Sequence, residues 1–195
     1  MGKIKYLNLI IDLFKKSPVV SFESIKKYVK NSSYSKLLVH NLLKRKRINK
    51  ISKGFYTIYN NPELAVFVFK PAYFGLQDAL SFHNLWEQET IPVIITSRKV
   101  RTGIRKILGS NVLIRHVDKK LLFGFEYVKV REDNLVYPYS DIEKTLIDLA
   151  YFNEPISKEV LENILSKINK NKLKKYLKQY NLKTKEKINN MLIQS

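Results

Sequence analysis

Apolar residues along the first sixty positions recur at helical spacing, then alternate. Ile4, Leu7, Ile10, Ile11 and Phe14 form the stripe of a core-facing helix over 4–14, closed by Ser17-Pro18 because proline cannot continue a helix. The short β-branched run Val19–Phe22 predicts a strand. A helix over 23–29 follows, with Ile25, Tyr28 and Val29 inward. Asn31-Ser32-Ser33 is turn chemistry, with Ser32 or Ser33 as the expected N-cap. Leu38, Val39, Leu42 and Leu43 give a helix over 34–45. The stretches 47–53 and 55–59 then alternate as two strands about a Ser52-Lys53-Gly54 turn. Helix, strand, helix, turn, helix and β-hairpin is the order of a winged helix-turn-helix.

Beyond Asn60-Asn61-Pro62 the pattern is mixed. Short apolar helices are predicted over 63–69 and 74–85, and strands over 91–96, 112–116, 121–127 and 135–137. Ser140-Asp141-Ile142-Glu143 reads as a capping box opening a helix that carries Leu146, Ile147, Leu149 and Ala150. After Pro155 the chain is predicted helical in three amphipathic pieces, 157–169, 172–180 and 184–193. The expected fold class is α+β: a winged helix-turn-helix over 1–60, an α+β domain over 61–153 and a basic helical tail over 154–195.

Charge sharpens this picture. The formal net charge is +19 over 195 residues. Residues 1–60 carry fourteen Lys/Arg against Asp12 and Glu23 alone, 61–152 nearly balance at +1, and 153–195 carry +6. A basic surface of this size draws a protein to polyanions. In the winged-helix reading the third helix enters the major groove of double-stranded DNA with its N-terminal residues Ser33, Tyr34, Ser35 and Lys36 leading, and His40 one turn on. Lys44, Arg45 and Arg47 cluster at its end, and Lys50, Ser52 and Lys53 lie at the hairpin. The cations supply phosphate contacts, and only the helix face reads bases.

Catalytic chemistry is sparse. His40, His83 and His116 are too far apart for a helical zinc motif, and there is no P-loop, G-x-G-x-x-G or G-x-S-x-G. Glu143 and Asp148 are read as a capping Glu and a surface Asp. No enzymatic activity, cofactor or metal is expected. The absence of cysteine points to a reducing cytoplasm, and the lack of a long apolar run or an apolar leader at Met1–Lys5 argues against a membrane span or secretory signal.

Four segments together resemble the AbiEi-type antitoxins of type IV toxin–antitoxin systems, over roughly residues 5–155. They are Lys53-Gly54-Phe55-Tyr56-Thr57-Ile58, Tyr73-Phe74-Gly75-Leu76-Gln77-Asp78-Ala79-Leu80, Phe123-Gly124-Phe125 and Ile142-Glu143-Lys144-Thr145-Leu146-Ile147-Asp148-Leu149. Lys53 stands where the family often has Arg, and Asp78 where it often has Ser. The resemblance implies a repressor that binds inverted repeats in its own promoter and counteracts a nucleotidyltransferase-like toxin without a stable complex. A stand-alone winged-helix transcription factor with a ligand-sensing C-terminal domain, or a DNA-recruited nuclease, are the competing expectations.

Overall fold

A computed structural model describes residues 10–129 and 135–193. Ile4 and Leu7, the opening of the predicted first helix, lie outside them. The fold is mixed α+β and divides into two compact units. One comprises 1–68 with 106–111, the other 69–105 with 112–195.

The first unit runs α1 (10–16), β1 (Val20–Ser21), α2 (Phe22–Val29), α3 (Ser32–Lys44), β2 (Asn49–Ser52) and β3 (Phe55–Thr57). Its sheet is antiparallel in the order β1-β3-β2, with Val20 opposite Tyr56 and Asn49 opposite Thr57. Ile10, Phe14, Val20, Ile25, Val29, Val39, Leu42 and Ile48 meet in one core. These are most of the inward positions of the amphipathic stripes, but Ile11 and Tyr28, expected inward, are 40% and 48% exposed, because their neighbours Ile10, Ile25 and Val29 already fill the side of each short helix that faces the core. The expected strand at Val19–Phe22 is shorter, because the Ser21 hydroxyl caps α2 by accepting from Ser24 N (3.1 Å), and Phe22 already belongs to the helix. The unit also extends past residue 60. A 3-10 turn at Pro62–Leu64 and α4 (Ala65–Val68) bury Leu64, Ala65, Val66 and Val68.

The second unit is built on a six-stranded sheet of β4 (Ala72–Phe74), β5 (Val93–Thr96), β6 (Gly103–Ile107), β7 (Ser110–His116), β8 (Phe125–Lys129) and β9 (Val136–Ser140), in the order β6-β7-β5-β4-β9-β8, of which the end of β6 and the start of β7 within 106–111 count with the first unit. Its inner pairs β4/β9 and β5/β7 are parallel, whereas β4/β5 and β8/β9 are antiparallel. Helices α5 (Leu76–Phe82), α6 (Ile142–Phe152), α7 (Lys158–Lys167), α8 (Lys170–Leu177) and α9 (Leu182–Ile193) belong with it. The helix expected over 74–85 begins only at Leu76. Phe74 sits in the sheet, opposite Ile94 on one side and Tyr139 on the other.

The centre of this unit corrects the sequence reading of α6. Asp148, expected at the surface, is fully buried, and so is Lys144 one turn earlier. The two form an ion pair, and the Tyr73 hydroxyl donates to Asp148 Oδ2 at 2.7 Å. The Lys144 ammonium also lies over the rings of Tyr73, Phe123 and Tyr180, at 5.1, 5.6 and 5.7 Å from their centroids. Burial lowers the Lys144 pKa against the pull of Asp148, and burial raises that of Asp148 against the pull of Lys144. Gly124, at φ +70°, lets the chain pass this cluster, for a Cβ there would meet Lys144 Cβ and Tyr176 Cε2 at 2.9 Å.

The capping box is corrected too. Asp141, not Ser140, caps α6, its Oδ1 accepting from Lys144 N at 2.8 Å, while the Ser140 hydroxyl is paired with that of Thr145. Glu143 does not reach back to its own helix. It is covered by the C-terminal helices, accepting from Asn169 N (2.6 Å) and pairing with Lys172, which also pairs with Asp141. His83 is half-buried, with Nε2 2.7 Å from Ser140 O.

Tyr73, Tyr176 and Tyr180 all titrate above the ordinary 10.0, first through burial and then through Asp148 or Asp141, and Tyr176 is pushed up to about 12. A folded pKa above the unfolded one means that the unfolded chain loses the proton first. Their contribution is therefore complete below pH 10 and declines as pH rises towards the folded values. Lys144 has the opposite sign, but its effect is complete by its ordinary value of 10.5. Thermal midpoints are expected to fall steeply above pH 10, and more gently in Tyr176→Phe between pH 10 and 12. Parallel curves for the two proteins would refute this.

Candidate nucleic-acid interface

The sharpest candidate surface lies on α3. Asn31, exposed and extended, caps the helix, with Oδ1 accepting from Tyr34 N at 2.9 Å. The cap is thus one residue earlier than the expected Ser32 or Ser33, which become the first two helical residues. The Asn31 side chain thereby satisfies one of the free amides of the first turn.

The helix then has two faces. Ser35, Val39 and Leu42 point into the core, with Tyr34, Leu38 and Leu43 packed beside them. Ser33, Lys36, Leu37, His40, Asn41 and Lys44 are exposed and follow the three- and four-residue spacing of a single face. Ser35 therefore leaves the set of candidate readers. It is fully buried, and its hydroxyl donates to Asn31 O at 2.6 Å. Leu37, 54% exposed, and Asn41 join the set, though sequence reasoning passed over them. The signal was present: they occupy the outward positions between Lys36, His40 and Lys44, but an apolar residue in an amphipathic helix is assigned to the core by default.

The helix ends in a Schellman arrangement. Lys46 N donates to Leu43 O at 3.0 Å and Arg47 N to Leu42 O at 2.9 Å, with Lys46 in the left-handed region at φ 53°. Lys44, Arg45, Lys46 and Arg47 are all exposed here. Glycine occupies such a position without the Cβ penalty, so Lys46→Gly is expected to raise stability by about 0.5–1 kcal/mol while removing one cation. A drop in the thermal midpoint would contradict this.

The hairpin after α3 presents Lys50 and Lys53 exposed and Ser52 half-buried. Gly54, at φ +76°, makes the turn, and its carbonyl accepts from Phe22 N at 2.7 Å, which fastens the hairpin to the start of α2. Among the described residues, no carboxylate pairs with Lys36, Lys44, Arg45, Arg47, Lys50 or Lys53. These cations face solvent. Among the described residues there is also no cluster of three or more His, Asp or Glu able to hold a metal ion, and no helix long and apolar enough to cross a membrane.

No family model and no curated protein matches the chain. Among solved structures it is similar to the crystal structure of the RV2827C protein from Mycobacterium tuberculosis, with a TM-score of 0.64 and 11% identity, over 96% of this chain and 76% of that one. At this identity the likeness concerns the fold, and it agrees with a mixed α+β architecture.

Proposed function

We propose that the protein is a DNA-binding transcriptional repressor whose first unit is a winged helix-turn-helix. The observation that carries this reading is the outward face of α3, where Ser33, Lys36, Leu37, His40, Asn41 and Lys44 align, followed directly by unpaired cations and a hairpin. The element order and the β1-β3-β2 sheet support it. In this reading α3 lies in the major groove, where Asn41 suits adenine and Leu37 a thymine methyl, while Lys50 and Lys53 hold the backbone.

The four segments that resemble AbiEi-type antitoxins extend the proposal. The protein represses its own operon, is not an enzyme, and counteracts a nucleotidyltransferase-like toxin encoded beside it. The burial of Lys144, Asp148 and Glu143 supports a structural role for the Ile142–Leu149 motif rather than acid–base chemistry.

Footprinting on the upstream region of its own gene tests the repressor reading, with protected inverted repeats expected. Affinity measurements on operator and random duplexes separate readout from positioning. Lys36→Ala and Asn41→Ala are expected to lower operator preference by about 1–3 kcal/mol each, whereas Lys50→Ala and Lys53→Ala weaken both duplexes alike. Equal losses for all four variants would place base reading elsewhere than α3.

A second reading has its own observation. A cavity of about 350 Å³ lies between α7, α8 and α9, lined by Leu165, Ile168, Leu173, Leu177 and Leu192 with Lys170 and Lys174 at its edge. That volume and lining suit a small apolar anion, as a ligand-sensing transcription factor would require.

A further inference from the structure

We propose that the basic segment 98–105, the loop after β5 together with the first residues of β6, is a second and sequence-independent contact for the DNA backbone.

The near-neutral charge of 61–152 conceals a segregation. Residues 90–117 hold Arg98, Lys99, Arg101, Arg105, Lys106 and Arg115 and no acid, so the remainder of that region is net negative. Arg98, Lys99, Arg101 and Lys106 are exposed. Among the described residues no carboxylate pairs with Lys99, Arg101 or Lys106.

The loop is held in place. The fully buried Thr96 accepts from Arg98 N at 3.0 Å through its hydroxyl, which also lies 2.8 Å from Phe69 O. Arg105 donates to the Arg101 carbonyl and rests its guanidinium over the Phe69 ring, 5.6 Å from the centroid. A braced loop presents its cations with less entropy to lose on binding.

β6 is an edge strand of the six-stranded sheet, so backbone amides on its open side add to the donors available for phosphate oxygens. Ile104, 66% exposed between these cations, adds an apolar surface for sugar faces.

Cations on an edge strand also deter strand pairing between molecules. That role would account for Arg105 and Lys106, but Arg98, Lys99 and Arg101 precede the strand, where there is no edge to protect. The choice of DNA as the polyanion rests on the reading of the first unit.

The test uses the full chain, fluorescently labelled random and operator duplexes, and a salt series. Arg98→Ala/Lys99→Ala/Arg101→Ala is expected to weaken both duplexes at least tenfold at low salt. It should reduce the magnitude of the log affinity–log salt slope by roughly two to three, with operator preference and thermal midpoint unchanged. An unchanged slope would overturn the proposal. So would an equal loss in Lys167→Ala/Lys175→Ala/Lys178→Ala, which removes the same charge elsewhere. Tighter binding of an RNA duplex with the same slope loss would overturn the choice of DNA. Lys36→Ala/Lys50→Ala/Lys53→Ala separates the two surfaces. If it leaves both duplexes bound while the loop variant releases them, the α3 reading fails and the second contact stands. The reverse pattern sinks the second contact alone.

Discussion

Asp148→Ala is expected to destabilise the protein by about 3–5 kcal/mol, the cost of leaving a buried ammonium without its counter-charge. Lys144 has no route to water from its site. It is fully buried, its neighbours are the Tyr73, Phe123 and Tyr180 rings, and Gly124 closes against its Cβ. The same substitution also strands the Tyr73 hydroxyl, which donates to Asp148 Oδ2. Replacing both charges together, as Lys144→Met/Asp148→Leu, removes the desolvation cost along with the attraction and is expected to lose far less than Asp148→Ala alone. Chemical denaturation of the variants decides the matter. A double variant as unstable as Asp148→Ala would mean that the pair contributes through an interaction that apolar packing cannot replace. Retained stability in Asp148→Ala would mean that Lys144 is not charged in the fold.

The second large effect concerns DNA. If about five phosphates are contacted by the first unit, log affinity falls with log salt at a slope of roughly −4 to −5, so that raising salt fourfold weakens binding by roughly 10²–10³. The motive is the set of exposed cations from Lys36 to Lys53, none of them paired with a carboxylate among the described residues. Direct titration of an operator duplex across the salt series measures it. Affinity that stays flat across that range would remove electrostatic DNA binding from consideration. The antitoxin proposal has a separate readout: Lys36→Ala/Lys50→Ala/Lys53→Ala, produced from an unrelated promoter, is expected to lose operator binding and still relieve growth arrest by the partner toxin. Loss of relief would assign protection to the basic first unit itself.

What could be read from the chain alone was whatever local forces decide. The 3.6-residue stripe of α3 places Val39 and Leu42 inward whatever surrounds them, and Gly54 between two alternating runs makes a hairpin turn. Lys44, Arg45, Arg47, Lys50 and Lys53 were expected at the surface and are there, because a lone cation without a buried partner stays in water. The uneven distribution of charge needs no structure at all.

Tertiary structure decided the rest. A Lys and an Asp four residues apart on a helix look like a solvent-exposed pair, and burial reverses that reading only because Tyr73, Phe123 and Tyr180 come from distant parts of the chain to enclose them. Glu143 looked like half of a capping box until α8 brought Asn169 and Lys172 against it. β6 was not anticipated, because Gly103-Ile104-Arg105-Lys106-Ile107 has no two-residue alternation of an inward face. It is a strand because β7 offers it a free edge to pair with. Ser35 reads as a candidate reader of bases because its type is polar. The rotation of α3 about its own axis, set by the packing of Val39 and Leu42, turns it inward and brings Leu37 and Asn41 out. Local sequence thus determined which segments form helices and turns, and the packing of segments far apart in the chain determined which of their polar groups face water.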